Sequence, residues 1–132
     1  MDLRFEKNPG LKAEQVADLR KSVGWDSRVE KYKKILGNTY FCAVCFSEDK
    51  LVGYIDVVSD KIDDAYVRDL MVHPDYQRRN IGTKLLNMVI EQVKSDGIKM
   101  INTIFDPELT RFYKKVGFTI MSGGVIDFEN DN

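Results

Sequence analysis

The sequence predicts a single-domain mixed α/β fold, in which a mixed sheet carries helices on its faces. Three apolar runs rich in β-branched and aromatic residues, at residues 40–46, 51–58 and 66–72, are typical of strands. A long helical pattern follows from Ile81 to about Ser95, with apolar residues every four positions until Gly97. Strand runs that are followed by strand–helix units indicate a mixed sheet with helices packed against it.

Shorter signals complete the predicted order of elements. Residues 3–6 predict a first strand, and residues 13–23 predict an amphipathic helix that ends at Gly24. A second short helix is expected between a Ser27 cap and Gly37, and the two helices are expected to form a flap in front of the sheet. Later elements are a strand at residues 99–105, a helix from Pro107 to Gly117, and closing strands at residues 118–121 and 125–128.

Composition and charge are those of an ordinary globular chain. The 132 residues are enough to bury one core without disulfides or metal, so one domain over residues 1–132 is expected. Twenty basic and 21 acidic residues leave a formal net charge of −1, which gives no general attraction to nucleic acid or to a membrane. No apolar run approaches the roughly 18 residues that span a bilayer, and residues 1–6 lack a signal-peptide pattern. We therefore expect a cytoplasmic protein.

Cys42 and Cys45 form a C-x-x-C pattern, which invites a redox or zinc interpretation. Both lie in a predicted strand, where residues three apart point to opposite faces of the sheet. The two thiols therefore cannot share a ligand, and His73 is the sole histidine. We expect two buried structural cysteines and no metal site.

The clearest chemical signal lies where the third strand run meets the long helix. The segment reads Val72-His73-Pro74-Asp75-Tyr76-Gln77-Arg78-Arg79-Asn80-Ile81-Gly82. The first amides of a helix have no intrahelical acceptor, and the helix dipole adds positive potential there. Asn80 and Gly82 allow close approach of an anion, and Arg78, Arg79 and Lys84 place three cations beside the loop. The segment predicts a phosphate-binding loop; the alternative is a strand–turn–helix corner with a solvated basic face.

Two other phosphate motifs do not fit this chain. A P-loop requires Gly-Lys-Ser/Thr after a spaced glycine, whereas the chain reads Gly82-Thr83-Lys84. A dinucleotide fingerprint requires G-x-G-x-x-G after the first strand of a βαβ unit, and that spacing is absent. These two nucleotide-binding motifs therefore fit the chain less well than a phosphate-binding loop at the start of the long helix.

The segment resembles the acetyl-CoA signature of the GNAT superfamily, Q/R-x-x-G-x-G/A. Gln77 and Gly82 match its first and last positions, and Asn80 stands at the first glycine. Asn tolerates a left-handed backbone better than other non-glycine residues, so the loop shape is expected to persist. Residues 112–118 resemble a second family motif, F/L-Y-x-x-x-G-F. The resemblance covers roughly residues 40–118 and implies a GNAT-like acyl-CoA N-acyltransferase fold with a largely antiparallel central sheet.

The resemblance implies acetyl-CoA as cofactor, with coenzyme A as product. The third strand would pair with the pantetheine arm, and the loop amides would hold the pyrophosphate. That strand would carry a bulge and diverge from the strand at residues 99–105, which opens a cleft. Asp106 matches a family Asn that touches pantetheine, or it caps the following helix. The implied cofactor-binding residues are Leu70, Met71, Val72, Gln77, Arg78, Arg79, Asn80, Ile81, Gly82, Thr83, Asp106 and Tyr113.

The implied reaction transfers an acetyl group to a primary amine by direct attack in a ternary complex. An alkylamine has a pKa of about 10 and must lose a proton first, and the leaving thiolate benefits from a proton donor. Tyr113 matches the family's tyrosine acid; the alternative is a core aromatic beside Phe112. A backbone amide near Met71 would stabilise the oxyanion. Asp69, a carboxylate in an apolar strand, is the candidate base, the alternatives being an ion pair with Arg68 or another cation and a water chain as base.

The sequence does not identify the acceptor, and a small-molecule amine or a peptide amine is expected. A set of acids in the flap and the following loop would favour a cationic acceptor: Asp26, Glu30, Asp60, Asp63 and Asp64. Residues 125–128 are a candidate dimer-edge strand, so a homodimer is a further expectation. The alternative function is a non-catalytic acyl-CoA-binding or regulatory module on the same fold. Nucleic-acid binding is not favoured, because no reading helix or set of stacking aromatics accompanies the basic residues.

Overall fold

A computed structural model describes residues 2–129 as a five-stranded sheet flanked by helices. The strands are β1 (Leu3–Lys7), β2 (Phe41–Ser47), β3 (Lys50–Ser59), β4 (Asp64–Val72) and β5 (Met100–Thr103). The helices are α1 (Ala13–Ser22), α2 (Val29–Ile35), α3 (Ile81–Ser95) and α4 (Thr110–Val116), and single 3₁₀ turns occupy Pro74–Tyr76 and Pro107–Leu109. The predicted mixed sheet with helices on its faces is confirmed.

The spatial order of the strands follows the order of the chain, β1-β2-β3-β4-β5. The first four strands pair antiparallel. β5 pairs parallel to β4, because α3 carries the chain back across one face before β5 begins. The parallel pair therefore lies at one edge of an otherwise antiparallel sheet.

Each face of the sheet buries its own apolar core. One core lies between the sheet and α3, and the other lies between the sheet and the flap formed by α1 and α2. The α3-side core includes Val52, Ile55, Ile81, Leu85, Leu86, Val89 and Tyr113. The flap-side core includes Val16, Leu19, Tyr32, Val44, Tyr54 and Met71. Because both faces are covered, every residue of β2 is buried.

The cysteines lie on opposite faces of β2, as predicted. Cys42 belongs to the flap-side core and Cys45 to the α3-side core. Both side chains are buried free thiols, and burial raises the pKa of Cys42 to about 12. Their role as buried core residues is confirmed, and they cannot act together on one ligand.

α3 has the predicted bounds and is the longest helix of the described chain, with 15 residues. Its buried stripe is the one that the periodicity indicated, consisting of Ile81, Leu85, Leu86, Val89 and Val93. Among residues 2–129, no helix has the length and apolarity needed to cross a membrane.

The second helix begins differently from the prediction. Arg28, not Ser27, precedes the first turn of α2, in a left-handed conformation with φ 51° and without a side-chain cap. Tyr32, which lies on the apolar stripe of this helix, is fully buried in the flap-side core. The Tyr32 amide donates the first hydrogen bond of the helix to the Arg28 carbonyl, at 3.0 Å.

The predicted closing strands at residues 118–121 and 125–128 are wrong. Neither segment is a strand, and the side chains of Met121, Ile126 and Phe128 are more than 80% exposed. Phe118 instead packs edge-on against Tyr113, with ring centroids 5.5 Å apart. Apolar alternation favours a strand but does not provide the neighbouring edge with which a strand must pair. The expected dimer-edge strand at residues 125–128 is therefore not formed.

Gly53 in β3 marks the closest approach of the sheet to α3. A Cβ atom there would lie 2.9 Å from Cγ2 of Ile81, 3.0 Å from Cδ1 of Leu85 and 3.2 Å from Cβ of Cys45. We expect Gly53→Ala to lower the free energy of unfolding by about 1–3 kcal/mol through overpacking, measured by urea denaturation. Gly10→Ala is the matched control, because a Cβ there meets nothing within 4 Å. A Gly53 variant as stable as the control would contradict tight packing at this point.

Candidate active site

A β-bulge interrupts the pairing of β3 with β4. Tyr54 pairs with Met71, and the next registered pair is Asp56 with Arg68, so that one residue of β3 faces two residues of β4. Within the bulge, Asp69 adopts a left-handed φ of 53°, which is uncommon for a residue other than glycine. Such a bulge bends the strand and re-aims its side chains.

β4 and β5 diverge at the same level as the bulge. Their pairing runs from Asp64 opposite Met100 to Val67 opposite Thr103, where it ends. Thr103 Oγ1 donates a hydrogen bond to the Val67 carbonyl at 3.3 Å. Beyond this point, the β4 edge at residues 68–72 pairs with no other strand of the described chain. The expected bulge and divergence are confirmed, and the space between the strands is called the cleft below.

The backbone groups that face the cleft are those of Leu70 and Val72. The His73 amide donates to the Val52 carbonyl of β3 at 2.8 Å, and successive residues of a strand turn their peptide groups to opposite edges. Leu70 and Val72 therefore turn away from β3, whereas Met71 turns toward it. Met71, which the sequence grouped with its neighbours, has its backbone within the sheet and its side chain in the flap-side core.

The loop from β4 to α3 is ordered by its own hydrogen bonds. His73 Nδ1 accepts from the Asp75 amide at 3.1 Å, and the Tyr76 amide donates to the His73 carbonyl at 2.8 Å. Gln77 Nε2 donates to the Val72 carbonyl at 3.2 Å, so this signature residue fastens the loop to the end of β4.

Asn80 is the residue that starts α3, and it is left-handed with φ 60° and ψ 20°, as predicted. Its side chain makes no capping hydrogen bond, and its carbonyl accepts from the Lys84 amide at 3.0 Å. The amides of Ile81, Gly82 and Thr83 lie in the first turn, where a helix offers no acceptor. The Ile81 side chain is buried in the core, so only its backbone can serve the site.

Gly82 keeps the mouth of the cleft open. A Cβ on Gly82 would point toward the Phe112 ring at 3.7 Å and toward Val72 Cγ2 at 3.8 Å. The missing side chain of Gly82 therefore leaves space between the start of α3, the end of β4 and α4. A phosphate group can approach a helix N-terminus through such a space.

The three predicted cations do not all serve the loop. Arg78 is exposed and left-handed with φ 66°, and the Arg79 guanidinium lies 5.4 Å from the Tyr76 ring centroid. The Lys84 ammonium instead lies over the Phe5 ring of β1, 4.3 Å from its centroid. Lys84 lies one turn into α3, where its side chain reaches the first strand.

Tyr113 lies on α4 near the narrow end of the cleft. Its ring stacks on Phe105 with centroids 4.2 Å apart, and Phe112 and Phe118 pack edge-on against it. Burial raises the pKa of Tyr113, and a hydrogen bond with the Thr103 side chain opposes this effect. Thr103 is the last residue of β5 paired with β4. Tyr113 is therefore a core aromatic whose protonated hydroxyl lies where the strands part.

Asp69 forms a cluster with two flap residues. Its Oδ2 atom accepts hydrogen bonds from the Tyr32 hydroxyl and from Arg20 Nη1, the latter at 3.4 Å. Arg20 is 6% exposed and is anchored further by its Nε, which donates to the Asp26 carbonyl. The predicted ion-pair alternative for Asp69 is therefore present, with Arg20 as the partner in place of Arg68. The Asp69 side chain is still 34% exposed.

Asp56 is a buried carboxylate that sequence analysis missed. Asp56 lies on β3 and is fully buried. Its carboxylate accepts hydrogen bonds from Arg68 Nε at 2.9 Å and from the Tyr54 hydroxyl. Burial raises the pKa of Asp56, and the bonds from Tyr54 and Arg68 counter the effect. The signal available in the sequence was the same as for Asp69, an acid within an apolar strand run.

Several of the acids singled out in the sequence have structural roles. Asp60 Oδ1 accepts from the amides of Ile62, Asp63 and Asp64 at 2.8 to 3.2 Å and so closes the β3–β4 loop. Glu30 pairs with Lys33 on α2. Asp106 is exposed and makes no side-chain cap on the following 3₁₀ turn, so the helix-capping alternative is not supported.

The fold, the diverging strands and the loop at the start of α3 define an acyltransferase of the GNAT type. The chain matches the Acetyltransferase (GNAT) domain family over residues 9–127. This protein therefore belongs to the GNAT acetyltransferase family.

Relatives and solved structures agree with this assignment. The chain is 34% identical over 109 residues to the uncharacterised N-acetyltransferase ycf52 of Gracilaria tenuistipitata var. liui, a match that covers 79% of the chain and 60% of that relative's length. A GNAT family acetyltransferase from Streptococcus pneumoniae TIGR4 superposes with a TM-score of 0.83 at 26% identity, covering 98% of this chain and 100% of that one. An aminoglycoside 6′-N-acetyltransferase complexed with coenzyme A shares the fold, with a TM-score of 0.74 at 20% identity and coverage of 92% and 87%.

The left-handed backbone of Asn80 makes a direct prediction for stability. Asn80→Gly should retain or slightly raise the free energy of unfolding, because glycine adopts φ 60° without strain. Asn80→Val should lower it by about 1–2 kcal/mol, because a β-branched residue is penalised in this conformation. Thermal unfolding of the two variants beside the parent tests the pair. Equal stability of the Val variant would contradict the left-handed start of α3.

Proposed function

We propose that this protein is an acetyl-CoA-dependent N-acetyltransferase that acetylates a primary amine by direct attack in a ternary complex. The observation that carries the proposal is the cleft, where the β4 edge at residues 68–72 has no second strand of the described chain paired to it. The first turn of α3 lies at its mouth and the Tyr113 hydroxyl near its narrow end. An extended arm that ends in a pyrophosphate fits such a site. The coenzyme A complex of the structurally similar aminoglycoside enzyme supports the choice of cofactor.

The chain's own groups suit the two ends of acetyl-CoA. The Leu70 carbonyl and the Val72 amide would hydrogen-bond the pantetheine arm as an added strand, because the Val72 carbonyl already accepts from Gln77 Nε2. The amides of residues 81–83 would hold the pyrophosphate, with Arg78 as an adjacent cation. Gly82 leaves the space through which the phosphates reach these amides.

The two faces of the sheet separate the substrates. The first turn of α3 lies on one face of the sheet, together with the core that α3 covers. Asp69 instead contacts the flap on the other face, through its hydrogen bonds with Arg20 and Tyr32. We therefore place the acceptor on the flap face, where its amine would meet the thioester through the cleft. Acetyl-CoA supplies an activated acetyl group and a thiolate leaving group.

Asp69, Leu70 and Tyr113 have distinct tasks in this proposal. Asp69 Oδ2 is occupied by Arg20 and Tyr32, and the other oxygen would take the proton of the acceptor ammonium, directly or through water. The Leu70 amide, next to the bulge, would donate to the oxyanion. The protonated Tyr113 hydroxyl would pass its proton to the leaving thiolate.

Cofactor binding is tested at Gly82. We expect Gly82→Asp to weaken acetyl-CoA binding by at least tenfold in calorimetric titration, because the carboxylate places negative charge where the phosphates approach. Gly82→Ala is the uncharged comparison and should weaken binding less than Gly82→Asp, because its Cβ adds no charge and would make ordinary contacts of 3.7 to 3.9 Å in the free protein. A folded Asp variant that binds as tightly as the parent would exclude this loop as the phosphate site.

The acid role is tested by Tyr113→Phe, which keeps the ring and its packing on Phe105. Turnover in a coenzyme A release assay should fall about 10²–10⁴-fold where chemistry limits the rate. Acetyl-CoA affinity should change little, and the free energy of unfolding by about 1 kcal/mol for the lost hydrogen bond with Thr103.

The same assay separates an enzyme from the alternative function. A non-catalytic acyl-CoA-binding module would bind acetyl-CoA yet release no coenzyme A with any amine of a broad panel. Full activity of Tyr113→Phe would leave the enzyme assignment intact and would remove Tyr113 from the chemistry.

A further inference from the structure

We infer that Arg68 selects acceptors in which the amine is accompanied by an anionic group, a carboxylate or a phosphate. This inference rests on the proposed acetyl transfer at the same site and names the substrate class. Arg68 directly precedes Asp69 in the bulge. Its guanidinium reaches Asp56, which neighbours the flap-side residue Tyr54. Arg68 and Asp69 therefore both act on the flap face, where the acceptor is placed.

The Arg68 guanidinium is held rigidly at one end. Its Nε donates to Asp56 Oδ1 at 2.9 Å, and Asp56 is fully buried and also bonded by Tyr54. Asp56 therefore has no freedom to follow a moving partner. A planar guanidinium that is fixed at Nε keeps a fixed direction for its remaining donors.

The free end of the guanidinium is open to a ligand. The Arg68 side chain is 29% exposed, and among residues 2–129 its hydrogen bond is to Asp56 through Nε. In that same range, no buried side-chain nitrogen or oxygen lacks a partner. The two terminal nitrogens must therefore be accessible, and their fork matches the geometry of a carboxylate or a phosphate.

The acids around the site are already compensated. Asp56 is paired with Arg68, and Asp69 with Arg20. Two arginines thus balance the two carboxylates that lie at the bulge. The loop acid Asp60 is engaged by backbone amides.

The accessible ends of the cluster have opposite charges. Arg68 presents its terminal nitrogens, and Asp69 presents the oxygen that Arg20 and Tyr32 leave open. These two residues are consecutive, and their Cα atoms are about 3.8 Å apart. A small molecule with an ammonium and an anionic group separated by a few bonds can contact both ends at once.

Calorimetric titration in the presence of saturating coenzyme A tests this inference independently of turnover. The probes are β-alanine, 2-aminoethyl phosphate and the neutral β-alaninamide. We expect one of the anionic probes to bind about ten- to a hundredfold more tightly than the amide, because it makes a charge-assisted bond with a fixed guanidinium. The relative affinities of β-alanine and 2-aminoethyl phosphate identify the preferred anion.

The variants separate recognition from folding. Arg68→Met alone leaves the buried Asp56 unpaired and can fail to fold, so it is accompanied by the double variant Asp56→Asn with Arg68→Met. In a folded variant the affinity for the anionic probe should fall to within about threefold of the affinity for β-alaninamide. Arg68→Lys should retain part of the preference. Arg4→Met, on β1 at the opposite edge of the sheet, is the matched control and should keep the full preference.

The outcomes distinguish this inference from the proposed function. Binding of an anionic probe that depends on Arg68, without coenzyme A release from acetyl-CoA, would refute the acetyl transfer and leave the inference standing. Release of coenzyme A with equal or better use of β-alaninamide or of a lysine peptide would overturn the inference and leave the enzyme standing. Failure of both anionic probes to bind, or a preference that persists in the folded double variant, would also overturn it.

Discussion

The β-bulge at Asp69 shapes the rest of this molecule. It sits where β4 stops pairing with β5, so a strand that begins inside the sheet ends with one free edge. A left-handed Asp costs roughly 1–2 kcal/mol relative to ordinary strand geometry. The hydrogen bonds from Arg20 and Tyr32 to its carboxylate offset part of that cost. The flap helices therefore support the backbone distortion that opens the cleft.

In the proposed function, the sheet around the bulge separates the two substrates. On one face, the loop after β4 turns into α3 and leaves the first helical amides at the cleft mouth. On the other face, Arg68 and Asp69 reach the space bounded by the flap. The proposed reaction requires the two substrates to meet from opposite sides, and the diverging strands would provide such a passage without a pore through the core.

The charged side chains at the bulge are paired on the flap face of the sheet. Asp56 and Arg20 are both buried, and each has a partner of opposite charge at the bulge. Burying charged groups is costly unless they are paired and hydrogen-bonded, and the tyrosines at positions 32 and 54 complete the bonding. The arrangement orients Arg68 and Asp69 on the flap face, where the acceptor is proposed to bind. Its value lies in orientation, because such pairs contribute little net stability.

The features that depend on local periodicity and backbone preference could be predicted from the amino-acid sequence. The bounds of α3, the three central strands, the opposite faces of Cys42 and Cys45, and the left-handed Asn80 follow from side-chain spacing and from allowed φ values. Which strand edges pair and which charged groups meet became visible only in the folded molecule. Residues 118–121 and 125–128 are rich in the apolar residues that strands favour, yet they pair with no strand of the described chain, and Arg20 contacts Asp69 across 49 residues of chain. Pairing and burial depend on distant elements that no local pattern encodes, whereas helix periodicity is set within a few turns.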